Sequence, residues 1–158
     1  KQIKDHGRKP EERYIHDILG LNFRTTDLQS AIGLKQLEKI HEFILNRNTI
    51  ARKYESELKN LEFQMIPKFS TLHTYMLFFA IAKNKIERDK ILNNLIKNGV
   101  DARSPWMPIH MQPCNQELHN IKCPNAENIF NRAFTLPIYN SMSLEEAQIV
   151  IDTIISIK

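Results

Sequence analysis

The chain has 158 residues, 42% of them apolar, and a formal net charge of +4. That apolar share excludes a disordered segment and predicts either one domain of ordinary size or a smaller globule carrying a helical arm. Lysines scattered from Lys1 to Lys158 form no dense run, which argues for a solvated surface and against nucleic-acid binding.

Residues 1–24 read as polar and irregular, with Gly7, Pro10 and Gly20 as breaks. A helical pattern follows from Thr26 to about Leu61. Leu28, Ile32, Leu37, Ile40 and Ile44 recur at three- to five-residue spacing, and Ile50, Tyr54, Leu58 and Leu61 resume it. Thr26 with Gln29 three residues on predicts a capping box at its start. So long a stretch without proline predicts a helix that bends or crosses between domains. Gly33 within it caps nothing and predicts close packing of another backbone.

After Pro67 the pattern changes. Tyr75–Ala82, the longest apolar run, reads as a buried strand, far below the ~20 residues of a membrane span. Ile86–Lys97 is amphipathic, with Asn98-Gly99 as its stop. Val100–Arg103 reads as a short strand. Residues 104–125, with Pro105, Pro108, Pro113 and Pro124, predict an ordered loop. A helix around Ala126–Phe134 and a connection through Leu136-Pro137 come next. Ser143 and Glu146 then open the last helix, to about Ile157, with a second box. The pattern predicts an α+β fold: a long bent helical arm, then a compact β-α-β-loop-α-α unit.

No signal peptide is recognisable, and Cys114 and Cys123 offer no disulfide framework, so a cytoplasmic protein is expected. A first residue that is Lys rather than Met suggests a piece of a longer protein. Among chemical motifs, four glycines form no phosphate-cradling loop, and no nucleophile elbow or HExxH helix exists. His110, Cys114, His119 and Cys123 are zinc-compatible residues, but their spacing matches no common finger, and they read as ordinary loop residues. The stretch Gly20–Gly33 is more telling. A helix N-terminus at Thr26 favours an anion such as phosphate, and Asn22 and Arg24 just upstream add side-chain donors. Arg103 and Trp106 in the proline-rich loop offer a planar cation and an aromatic face suited to a nucleotide or sugar, or a tryptophan plugging the surface.

Several runs carry a family likeness: His6-Gly7, Tyr14-Ile15-His16, Gly20-Leu21-Asn22-Phe23-Arg24, Leu28-Gln29-Ser30-Ala31-Ile32-Gly33-Leu34 and Gln36-Leu37. Arg47, Ala51, Tyr54, Arg88-Asp89, Gly99-Val100, Trp106–Pro113 and Leu136-Pro137-Ile138-Tyr139 extend it. In order and over essentially the whole chain, these resemble the DegT/StrS-type sugar aminotransferases, pyridoxal 5'-phosphate (PLP) enzymes of fold type I.

The resemblance implies a C-terminal portion. Residues 1–60 would be the end of the large domain and its connecting helix, and residues 61–158 an α/β-type small domain. It implies a homodimer with sites at the subunit interface, where Asn22 reaches the PLP phosphate of the neighbouring subunit. Arg24, Arg103, Trp106 and His110 would face a nucleotide-linked keto sugar, aminated from glutamate for surface polysaccharide or glycan synthesis. The Schiff-base lysine and the partner of the pyridine nitrogen would precede residue 1, and no lysine here sits in the matching motif, so the chain is not expected to be active alone. Two other readings stand beside this one. The first is a sugar dehydratase relative in which the lysine is replaced. The second is a stand-alone module that dimerises or binds a partner through an exposed apolar arm.

Overall fold

The computed structural model describes residues 2–7, 16, 18–59, 64–65 and 73–157. Pro10, Tyr14-Ile15, the helix end at Leu61, Pro67 and the expected boundary between residues 60 and 61 lie outside them. The chain divides into two compact units, Lys1–Ile40 and His41–Lys158.

The first unit carries helix α1, Asp27–Glu38. Its N-cap, Thr26, forms the predicted capping box: Thr26 Oγ1 accepts the Gln29 N–H at 3.3 Å, and Gln29 Oε1 accepts the Thr26 N–H at 2.9 Å. The predicted long helix is in fact two. The Lys39 N–H turns back to the Gln36 carbonyl at 3.1 Å, closing α1, and α2 runs from Ile40 to Glu57. No residue of α1 is buried. Leu28, Ile32, Leu34 and Leu37 are each more than half exposed, and an added Cβ at Gly33 would meet nothing within 4 Å, so no backbone of the described residues packs there.

The second unit is built on a three-stranded antiparallel sheet in the order β1-β2-β3, formed by Gln64–Met65, Phe78–Ile81 and Ala133–Leu136. Phe78 pairs with Leu136 and Ala80 with Phe134. These four side chains share one face by the two-residue period and enter the main core. Against that face pack three helical stripes: Ile50, Ala51, Tyr54 and Leu58 of α2; Ile91, Leu92 and Leu95 of α3 (Lys85–Lys97); and Ala147, Val150, Ile151 and Ile154 of α5 (Leu144–Ile155). Both ends of α3 follow from local chemistry. Asn84 Oδ1 accepts the Glu87 N–H at 2.9 Å. At the other end Gly99, at φ +79°, lets its own N–H reach Ile96 and the Val100 N–H reach Leu95, a paired C-terminal cap. Ser143 and Glu146 form the second predicted capping box.

Two expectations need correcting within this α+β unit. Val100–Arg103 is not a strand; Arg103 alone bridges Thr135 before the chain turns into Pro105. The helix expected around Ala126–Phe134 is α4, Pro124–Arg132, and the next four residues leave it for β3. All four are buried, so β3 lacks the in–out alternation that marks a strand in sequence.

Candidate functional site

In the first unit, residues 2–7 run antiparallel to residues 21–23. The His6 N–H donates to Leu21, and the Phe23 N–H donates to Lys4, bracketing the Asp5–Asn22 bridge. Two glycines make this approach possible. A Cβ on Gly7 would lie 1.7 Å from the Ile18 carbonyl oxygen, and one on Gly20 would lie 2.1 Å from the Gly7 nitrogen. Asn22 pairs with Asp5 across this bridge, and Arg24 follows two residues on. The Arg24 guanidinium is engaged by the Asp5 carboxylate. The exposed Asn22 amide makes no hydrogen bond among the described residues and stands four residues before the α1 cap. An uncommitted amide, a guanidinium with donors to spare and a helix N-terminus are each groups that can donate to an anion.

The second unit holds the other predicted residues in one loop. The Arg103 main chain is tied to β3, with the Thr135 N–H donating to its carbonyl at 2.8 Å. Its guanidinium makes a two-pronged pair with Asp101, Nε to Oδ1 and Nη2 to Oδ2, both 2.8 Å. That pairing holds the Asp101 carboxyl below its usual range and raises the guanidinium, while three guanidinium N–H groups stay uncommitted. Trp106 is 69% exposed, so it plugs nothing: its ring stands at the surface.

His110 sits on a single 3-10 turn, Ile109–Met111. Its Nε2 lies 3.0 Å from Glu127 Oε1, which also accepts the Cys123 N–H at 3.0 Å. The Cys123 N–H, and then His110, hold the Glu127 carboxyl below its ordinary range. His110, Met111, His119, Ile121, Lys122 and Glu127 line a hollow of about 520 Å³. The loop is stapled by its own amides, Asn115 to the Ile109 carbonyl at 3.1 Å and Gln112 to the Met107 carbonyl at 3.3 Å. Among the described residues no three His, Cys, Asp or Glu side chains are placed to hold a metal ion. No helix among them is long and apolar enough to cross a membrane.

The structure thus groups Asn22 with Arg24 in one unit, and Arg103, Trp106 and His110 in the other. Reading the sequence missed the acidic partners Asp5, Asp101 and Glu127 and the anchors Arg88 and Thr135. Only Arg88 left a signal there, as part of the Arg88-Asp89 likeness.

The DegT/DnrJ/EryC1/StrS aminotransferase family model matches residues 1–155. The chain belongs to this family. Members of the DegT family are PLP-dependent sugar aminotransferases. A relative named GDP-perosamine synthase, from Escherichia coli O157:H7, is 30% identical over 152 residues, 96% of this chain and 42% of its own length. An aminotransferase involved in the biosynthesis of pseudoaminic acid, from Helicobacter pylori, superposes with a TM-score of 0.88 at 23% identity, over 99% of this chain and 44% of its own. The PLP form of a Streptococcus pneumoniae protein superposes at 0.85 and 20% identity, over 98% and 41%. These likenesses give the PLP fold type I architecture. The chain spans about two-fifths of the length of each of these proteins.

Proposed function

We propose that this chain serves as the C-terminal portion of a PLP-dependent nucleotide-sugar aminotransferase, which moves an amino group from glutamate onto a keto-deoxysugar for surface polysaccharide or glycan synthesis. The observation that carries this reading is the family match over residues 1–155. The share of its relatives' length that the chain spans supports a division of labour, with the covalently anchoring lysine supplied by the rest of the enzyme. PLP, when bound, acts as the electron sink for the amino-group transfer. This chain's residues bind and orient. The Asn22 amide donates to a phosphate oxygen of the cofactor in a neighbouring subunit of a homodimer, helped by the partial positive charge at the α1 N-terminus. Arg24 in the first unit and Arg103 in the second each keep uncommitted N–H groups for a nucleotide sugar. In the second unit the Trp106 ring offers a stacking face, and His110, held by Glu127, gives a fixed polar contact in the same loop.

The test assembles the chain with a lysine-bearing large domain and follows the absorbance of lysine-linked PLP. Asn22→Ala is expected to weaken PLP affinity about tenfold, the value of a charge-assisted hydrogen bond; unchanged affinity refutes the phosphate role. A large domain that naturally carries another residue in place of the anchoring lysine would instead support the dehydratase reading. The bare apolar surface of α1 favours a second reading, a non-catalytic association module. Sedimentation of the chain alone discriminates, because a well-behaved monomer removes that reading.

A further inference from the structure

Among the described residues three polar or charged side chains are buried, Asn48, Arg88 and Thr135, and two of the three grip the same short stretch. Thr135 of β3 holds the Arg103 carbonyl with its backbone N–H at 2.8 Å and its hydroxyl at 3.2 Å. One residue on, Arg88 Nη1 of α3 donates to Ser104 Oγ at 2.9 Å. Arg88 is only 5% exposed and lies on the α3 face that carries Ile91, Leu92 and Leu95 into the core. Its Nε is 2.6 Å from Asp89 Oδ1, yet that N–H makes no hydrogen bond, so the contact is one of charge alone.

As a device for stability this is a poor use of a core position. Burying a guanidinium carries a desolvation penalty that a packed apolar side chain would avoid, and beyond the Asp89 charge its hydrogen bond goes only to the hydroxyl of an exposed serine. What the arrangement does supply is location. Ser104 is fixed at the root of the loop, Pro105 restricts the next backbone angle, and Trp106 follows with its ring in the open. We infer that Arg88 is a positioning residue. It anchors Ser104 and so sets the direction in which Arg103 and Trp106 are presented to a nucleotide-linked substrate. The substrate part of this inference rests on the function proposed above; the anchoring part does not.

Trp106 is the chain's one tryptophan, so its fluorescence reports this loop alone. The experiment compares the 158-residue chain with Ser104→Ala, Arg88→Met and the double variant. Ser104 is exposed, so Ser104→Ala keeps the fold even if Arg88→Met does not. Each single variant is expected to speed exchange of the Arg103 and Thr135 amides, whose N–H groups donate to each other's carbonyls at the root of the loop, about tenfold, the value of one hydrogen bond to a charged group, and to lower the Trp106 anisotropy. The double variant should exchange no faster than Arg88→Met, since both changes remove one bond. Unchanged exchange in Ser104→Ala, or additive effects in the double variant, overturns the inference. In the assembled enzyme Ser104→Ala should raise KM for the nucleotide sugar with kcat little changed, whereas a purely structural Arg88 would move neither. Titration of the assembly with GDP and UDP, read by calorimetry, separates the two claims. If the unmodified assembly binds neither nucleotide, the substrate reading fails, and the exchange data still decide the anchoring.

Discussion

Tyr54 joins α2 to the segment after β3 through one bond whose worth can be measured. Its side chain is fully buried, and its hydroxyl donates to the Pro137 carbonyl at 2.9 Å. The ring rests tilted on Phe78 with centroids 5.0 Å apart. Tyr54→Phe keeps the ring contacts and deletes only the hydroxyl, so the loss should be that of one buried hydrogen bond, about 1–2 kcal/mol. For a unit of about 118 residues this corresponds to a melting temperature lower by about 4–8 °C. Burial first, and the neighbouring Tyr139 second, push the Tyr54 phenol far above its ordinary value. The unfolded chain therefore releases this proton from about pH 10 while the folded chain retains it, and stability falls as pH rises further, by about 1.4 kcal/mol per unit. The variant lacks that slope. Urea unfolding followed by circular dichroism should give a gap at pH 7 that closes by about pH 11. A gap that persists undiminished at pH 11 refutes the buried protonated phenol, and no gap at pH 7 refutes the hydrogen bond.

Leu95 is fully buried at the centre of the core, so Leu95→Ala should cost about 2–5 kcal/mol in urea unfolding; a loss under about 1 kcal/mol would show that the core recloses around it. Thr26→Ala removes the α1 cap and should cost that helix about 0.5–2 kcal/mol. Amide exchange within α1 should quicken while protection of the β2–β3 ladder stays as it was. Glu127 binds the Cys123 N–H and His110 as a carboxylate, and its depressed pKa means that this contribution is present at neutral pH and is lost as pH falls through the lowered carboxyl range. The Cys123 amide should therefore lose protection on acidification in the unmodified chain and not in Glu127→Gln; identical acid profiles would contradict this.

How much was legible beforehand tracks the range of the interaction. Both capping boxes and the Gly99 stop are written within a few residues, and they appear where the sequence puts them. The break at Lys39 carries no proline or glycine to announce it. Strand β3 was hidden because Ala133, Phe134, Thr135 and Leu136 are all buried and follow directly on a helix, which removes both alternation and a turn signal. Val100–Arg103 misled in the opposite sense, having strand-like composition but only one residue in pairing register. In the candidate site, Asn22, Arg24, Arg103, Trp106 and His110 were picked out by residue type. Their partners, Asp5 for Arg24 and Glu127 for His110, lie 19 and 17 residues away, beyond any local pattern.

Helix α1 has a thermodynamic consequence of its own. It is 12 residues long, buries none of them, and spreads Leu28, Ala31, Ile32, Leu34 and Leu37 round its whole circumference. Left bare, its order rests on one capping box and one Lys35–Glu38 ion pair, which for a helix of this length is close to the balance point between helix and coil. Its content should then decline gradually with temperature, as a peptide's does, below the cooperative melt of the second unit. A surface that encloses α1 would merge the two events. Helix formation and association would become a single transition, sharpened in temperature and dependent on protein concentration.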